Sequence, residues 1–126
     1  MPDRKTALAK LAVGDIFHGE STSGASLICL VTSVTEETIM ARTMTTQLSF
    51  QFDRRTGIAQ WGAELNLCSI DSTAPLPMEI HNVLLGLDQR YRLGQEPERF
   101  RLTDAEKRAL VFVASYYPAN LLLPHG

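Results

Sequence analysis

The chain is poor in almost everything that would betray a chemistry. Its 126 residues include two cysteines, one tryptophan and three histidines. It has no GxGxxG, no Gly-Lys-Ser/Thr phosphate loop, no HExxH and no GxSxG elbow. Those absences remove the strongest dinucleotide, nucleotide, zinc-protease and serine-hydrolase signatures. Cys29 and Cys68 stand in separate apolar runs without CxxC spacing. They read as buried thiols rather than a bridge, and the compartment expected is a reducing cytoplasm. Charge of one sign is also missing: the net charge is -2, so no global field recruits a phosphate backbone. Long hydrophobic runs are absent too. The longest, Ala109 to Ala114, is six residues, against roughly 20 for a membrane span, so no membrane partner is expected. Arg4, Lys5 and Lys10 are followed by no apolar block of the roughly 7 to 15 residues that a secretory leader carries, and none is expected.

The histidines do not form a ligand set. His18, His81 and His125 are far apart, and Glu79 lies two places before His81, on a different side of a helix. Only the fold could gather a trio such as His18, His81 and Asp53. The sequence therefore assigns no catalytic residue, no metal and no cofactor.

What the chain does have is a regular alternation of short runs and turns. At 44% hydrophobic and 21% charged residues it is ordinarily globular and of single-domain length. Lys5 to Ala12 spaces Ala7, Leu8 and Leu11 for a short N-terminal helix. Strand-like runs follow at Ile16 to Glu20, Leu27 to Val31, Ile39 to Met44, Gln47 to Asp53, Ile58 to Trp61 and Leu65 to Ile70. Leu27 to Val31 is apolar at both parities, which predicts a central strand covered on both faces. From Gln47 onward, Leu48, Phe50 and Phe52 point to the core. Asp53-Arg54-Arg55-Thr56-Gly57 reads as a hairpin turn, with the Asp53 carboxylate accepting turn amides and Gly57 at positive φ.

Pro77 opens a helix whose Ile80, Leu84, Leu87 and Tyr91 form one stripe before Gly94. Thr103 and Glu106 announce a second helix as a capping box, with Ala109, Phe112, Val113 and Tyr116 as its buried stripe and Pro118 as its end. The class predicted is α+β: a small five-stranded antiparallel curled sheet or barrel, SH3-like or Sm-like in shape, with two C-terminal helices packed on it. The chain is expected to be one domain, with a β unit over 13–70, a helical part over 76–118 and a tail over 119–126.

The residues with most interaction potential are Arg54 and Arg55 at the turn, Trp61 on the returning strand and Arg42 between Met40 and Met44. Exposed together, they could hold an acidic peptide or grip phosphates and stack a base. The competing reading has the arginines solvating the turn and Trp61 filling the barrel. Outward is the orientation expected for Arg42, since an inward guanidinium needs a buried partner. The basic residues from Arg90 to Arg108 are interleaved with Glu96, Glu98, Asp104 and Glu106, leaving only about +2 and no phosphate groove. Nine residues with a proline separate Leu93 from Thr103, too many for a helix-turn-helix. The tail Leu121-Leu122-Leu123 suits self-association. The function expected is a non-enzymatic protein-interaction or assembly module whose partner is a protein or a second copy, as in a homodimer. A weak single-stranded nucleic-acid binder is the alternative, and a small-ligand or enzyme site at the sheet-helix seam the third reading.

Overall fold

The computed structural model describes residues 4–21, 24, 26–44, 47–60, 66–93 and 101–119. Trp61, Gly94, Leu121, Leu122, Leu123 and His125 lie outside them. A short helix, α1 (Arg4–Ala9), precedes six strands: β1 (Ile16–Ser21), β2 (Ser26–Val34), β3 (Thr38–Thr43), β4 (Ser49–Asp53), β5 (Ile58–Gln60) and β6 (Asn66–Ser72). Two helices follow, α2 (Met78–Arg92) and α3 (Asp104–Ala119). The strands run antiparallel in chain order and β6 returns to β1, closing a barrel. The fold is α+β, as the patterning predicts, with six strands where five were expected: each strand-like run pairs as an element of its own. Closure removes the exposed edges that a sheet this small would otherwise carry.

Strand parity builds two cores. Phe17, Cys29, Val31, Ile39, Ala41, Phe52, Ala59, Cys68 and Ile70 fill the barrel, and Ala7, Leu8 and Leu11 of the α1 segment join them. Phe17 and Phe52 meet edge to face with ring centroids 5.3 Å apart. Residues of the opposite parity, Ile16, Leu30 and Met44, face outward and are buried by Leu84 and Leu87 of α2 and Ala109, Val113 and Tyr117 of α3. Burying each such side chain contributes about 1.5 to 3 kcal/mol. This explains the two-sided apolar run of β2: Cys29 and Val31 serve the barrel while Leu30 serves the helices.

Several details depart from the sequence reading. Leu48 is exposed, not core, because the chain turns at Gln47 with φ of 58° and β4 begins only at Ser49. Tyr117, not Tyr116, is the fully buried tyrosine of α3. α3 runs one residue past Pro118.

Candidate binding face

The helices cover only part of the barrel wall. Their contacts fall on outward residues of β1, β2 and the end of β3, where the wall is apolar. Outward positions of β3, β4 and β5 are more polar, and there the wall carries a depression of about 560 Å³ lined by Glu37, Thr38, Gln51, Asp53, Arg55 and Ile58. The geometry follows from the hairpins at its rim. In the β2–β3 turn, Thr35 Oγ1 accepts from the amides of Glu37 and Thr38 and meets Thr38 Oγ1 at 2.8 Å, leaving Glu36 and Glu37 in solvent. In the β4–β5 turn, Asp53 Oδ1 accepts from the amides of Arg55 (2.7 Å) and Thr56 (3.2 Å), and Gly57 takes φ of 73°. That is the turn chemistry its residues predict. Within the described residues β4 and β5 share one registered pair, Phe52 with Ala59, so the wall is shallowly stitched at this place.

The four residues singled out for binding have separate fates. Arg55 lines the depression with its side chain 80% exposed, making only a 3.8 Å contact with Asp53. Arg54 turns the other way: its guanidinium donates to the carbonyls of Ala9 (2.8 Å), Leu11 (2.9 Å), Leu8 and Thr35. It thus satisfies carbonyls at and just beyond the end of α1, where a cation also suits the helix dipole. Arg42 does face outward, yet it is not open. Its Nε and Nη2 donate to Asp88 of α2 at 3.1 and 2.6 Å, and Gln47 donates to the same carboxylate at 2.9 Å. Burial pushes the Asp88 carboxyl up, but the hydrogen bonds from Arg42 and Gln47 and the nearby charges outweigh it and hold it below its ordinary value. The Arg42 guanidinium is raised mainly by that same hydrogen bond. Trp61 lies outside the described residues, as do Leu121, Leu122 and Leu123.

The trio of His18, His81 and Asp53 does not assemble. His81 meets the Gly14 carbonyl through Nε2 at 2.9 Å, Asp53 serves the hairpin, and His18 is buried beside Asp71. Among the described residues no group of three or more His, Cys, Asp or Glu could hold a metal ion. Cys29 and Cys68 are free and buried; burial pushes the Cys29 thiol far up, with Cys68 adding, and the Cys68 thiol up to about 11. Neither is a nucleophile at neutral pH. The seam between barrel and helices holds a smaller cavity of about 160 Å³, walled by Leu11, Asp15, Ile16, Thr73 and His81 among others. Among the described residues no helix is long and apolar enough to cross a membrane.

No protein-family model, curated protein or solved structure matches this chain.

The burial of two polar groups escaped sequence reasoning. Asp88 follows Leu84 by four places, so a carboxylate sat inside an apolar helix stripe, which is a readable sign of a buried partner. His18 shares the outward parity of Ile16 in β1, a sign that it would sit under whatever covers that face.

Proposed function

We propose that the protein is a non-enzymatic cytoplasmic interaction module that binds a protein partner, or a second copy, on the β3–β4–β5 wall that the two helices leave open. The observation that carries this reading is the depression of about 560 Å³ beside Arg55, on the part of the barrel that the helices leave open. It offers two carboxylates, a guanidinium and a carboxamide on one wall, which suits the mixed polar surface of a protein segment. It brings no nucleophile and base together. The single-stranded nucleic-acid reading loses support here, because Arg42 and Arg54 are engaged internally and Glu37 and Asp53 would repel phosphates. The seam cavity, with Asp15 and His81 in its wall, favours a small-ligand site as the second reading.

Copurification tests the proposal. A variant carrying Glu37→Lys, Gln51→Lys and Arg55→Glu should lose a partner that the unaltered chain retains, while Lys107→Glu on α3 should not. For self-association, light scattering should show the same pattern in mass. Equal retention by all three proteins removes the reading.

A further inference from the structure

The seam holds a buried ionisable pair that a binding module does not need. His18 and Asp71 are each under 5% exposed and face one another across the β1–β6 junction, Nδ1 to Oδ2 at 3.5 Å. Neither ring nitrogen of His18 has a hydrogen-bond partner among the described residues. A buried polar group left so costs stability and calls for an account. The backbone places it deliberately: the β1–β6 register shifts between His18 and Gly19, and bulges re-aim side chains. Gly19 permits the close approach there, since a Cβ would meet the Ser69 carbonyl oxygen at 3.0 Å.

The lid over His18 is the C-terminal turn of α3. The Tyr117 ring lies 5.7 Å from the imidazole, centroid to centroid, and its hydroxyl donates to the Ile16 carbonyl at 3.0 Å. The groups that face the imidazole are Asp71 on β6, Glu20 farther along β1, the apolar Ile28 across on β2 and the Tyr117 phenol on α3. Burial lowers the proton affinity of the ring, and the two carboxylates only partly restore it. Tyr117 itself stays neutral, held far up by burial and by Tyr116.

We propose that His18 is a proton-triggered release for α3: when the ring gains a proton inside the seam, the Tyr117 turn lifts away and admits water. The helix is the part that yields, because β1 is laddered to β2 on one side and β6 on the other, whereas the Tyr117 turn is tied to the rest of the fold by two tyrosine hydroxyls, Tyr117 to the Ile16 carbonyl and Tyr116 to the Pro75 carbonyl, beside side-chain packing. Release would uncover Ile16 and the apolar outer wall beneath that turn. An acidified environment would thus convert the covered face into an adhesive one.

Amide hydrogen exchange of the full chain, normalised for the intrinsic pH dependence, tests this alongside an NMR titration of the His18 ring. Between about pH 7 and about pH 5, the interval around the ordinary imidazole value, protection of residues 114–117 should fall severalfold, because the opened turn takes up the proton more readily than the closed one. Protection in β2 and β3 should hold. In His18→Gln the loss should vanish. In Asp71→Asn the ring should titrate at still lower pH, and the loss should begin at the same pH but run deeper. Protection that is flat with pH, a loss shared equally by barrel and helix, the same loss in His18→Gln, or a ring titrating above its ordinary value would each overturn the proposal. Because the wild-type titration stands alone, the test survives a variant that does not fold.

Discussion

Two arginines assigned to a binding surface turn out to hold the molecule together, and each carries a measurable consequence. Arg54 donates to four backbone carbonyls, those of Leu8, Ala9 and Leu11 at and beyond the end of α1 and that of Thr35 in the β2–β3 turn, and so ties the N-terminal segment to the barrel. Arg54→Met keeps the stem and deletes the donors, so unfolding free energy should fall by about 2 to 3 kcal/mol, the scale of hydrogen bonds from a charged group. Arg54→Lys should recover little, because an ammonium cannot reproduce the planar fork. Denaturant titration of the three proteins checks this, and an Arg54→Lys protein as stable as the parent would refute it. Asp88→Ala should cost more, about 3 to 5 kcal/mol, since it strands the Arg42 guanidinium under α2. Replacing both, Arg42→Met with Asp88→Leu, should return most of the loss. The pH dependence has a worked sign. Asp88 and Glu106 are held below their ordinary values, so their contribution is complete above about pH 4 and is lost as the pH falls through the lower folded values. His18 is also lowered, but as a base: its neutral form is the folded one, and its contribution begins to fade already below about pH 6.5. Acid unfolding should therefore begin with a shallow loss that His18→Gln removes, followed by a steeper one that it leaves in place.

At the level of elements, local chemistry was legible wherever one short stretch contained its own answer. Thr103 and Glu106 form the capping box that their spacing announces: the Thr103 amide donates to Glu106 at 2.8 Å and the Glu106 amide to Thr103 Oγ1 at 3.1 Å. The box does more than cap. Glu106 also accepts from Arg90 of α2, which in turn reaches the Arg101 carbonyl at 2.8 Å, so the cap clamps the two helices to one another. Thr103→Ala should cost about 0.5 to 2 kcal/mol, and Glu106→Ala more, since it also frees Arg90. Thermal melts that rank the two in the reverse order would dismiss the clamp. Asp53 and Gly57 were equally readable, because an Asx turn and a positive φ are decided within five residues. Leu48 was not. Its parity marked it as core, yet Leu48 exchanges hydrogen bonds with Thr43, its amide donating to Oγ1 at 2.9 Å and its carbonyl accepting the Thr43 amide at 2.8 Å, and that loop holds it outside the strand. The choice between Tyr116 and Tyr117 on α3 depended on the angle at which the helix lies across β1, a property of packing that no periodicity carries.

For the whole molecule, the division of the barrel wall into a part covered by the helices and a more polar part that they leave open governs stability. The sequence placed the strands and the helices correctly but left a curled sheet and a barrel as alternatives; in the structure the sheet closes on itself and the helices shield its outer wall. That difference bears on what the helices are for. Ile16, Leu30 and Met44 would face water without them, with half-buried Ile28 beside them. A chain cut after Ser72 should keep every strand ladder yet lose that cover, forfeiting about 1.5 to 3 kcal/mol for each large side chain bared and exposing a patch of the kind that drives association. It should form oligomers or precipitate at concentrations where the full chain stays in solution. Adding Ile28→Thr and Leu30→Thr to the cut chain should restore solubility, since threonine suits a strand and offers water a hydroxyl. Light scattering across a concentration series decides the matter. A cut chain with the mass and melting temperature of the full protein would mean that the outer wall needs no shield, and with it would go the mechanical premise that lifting α3 uncovers a sticky surface.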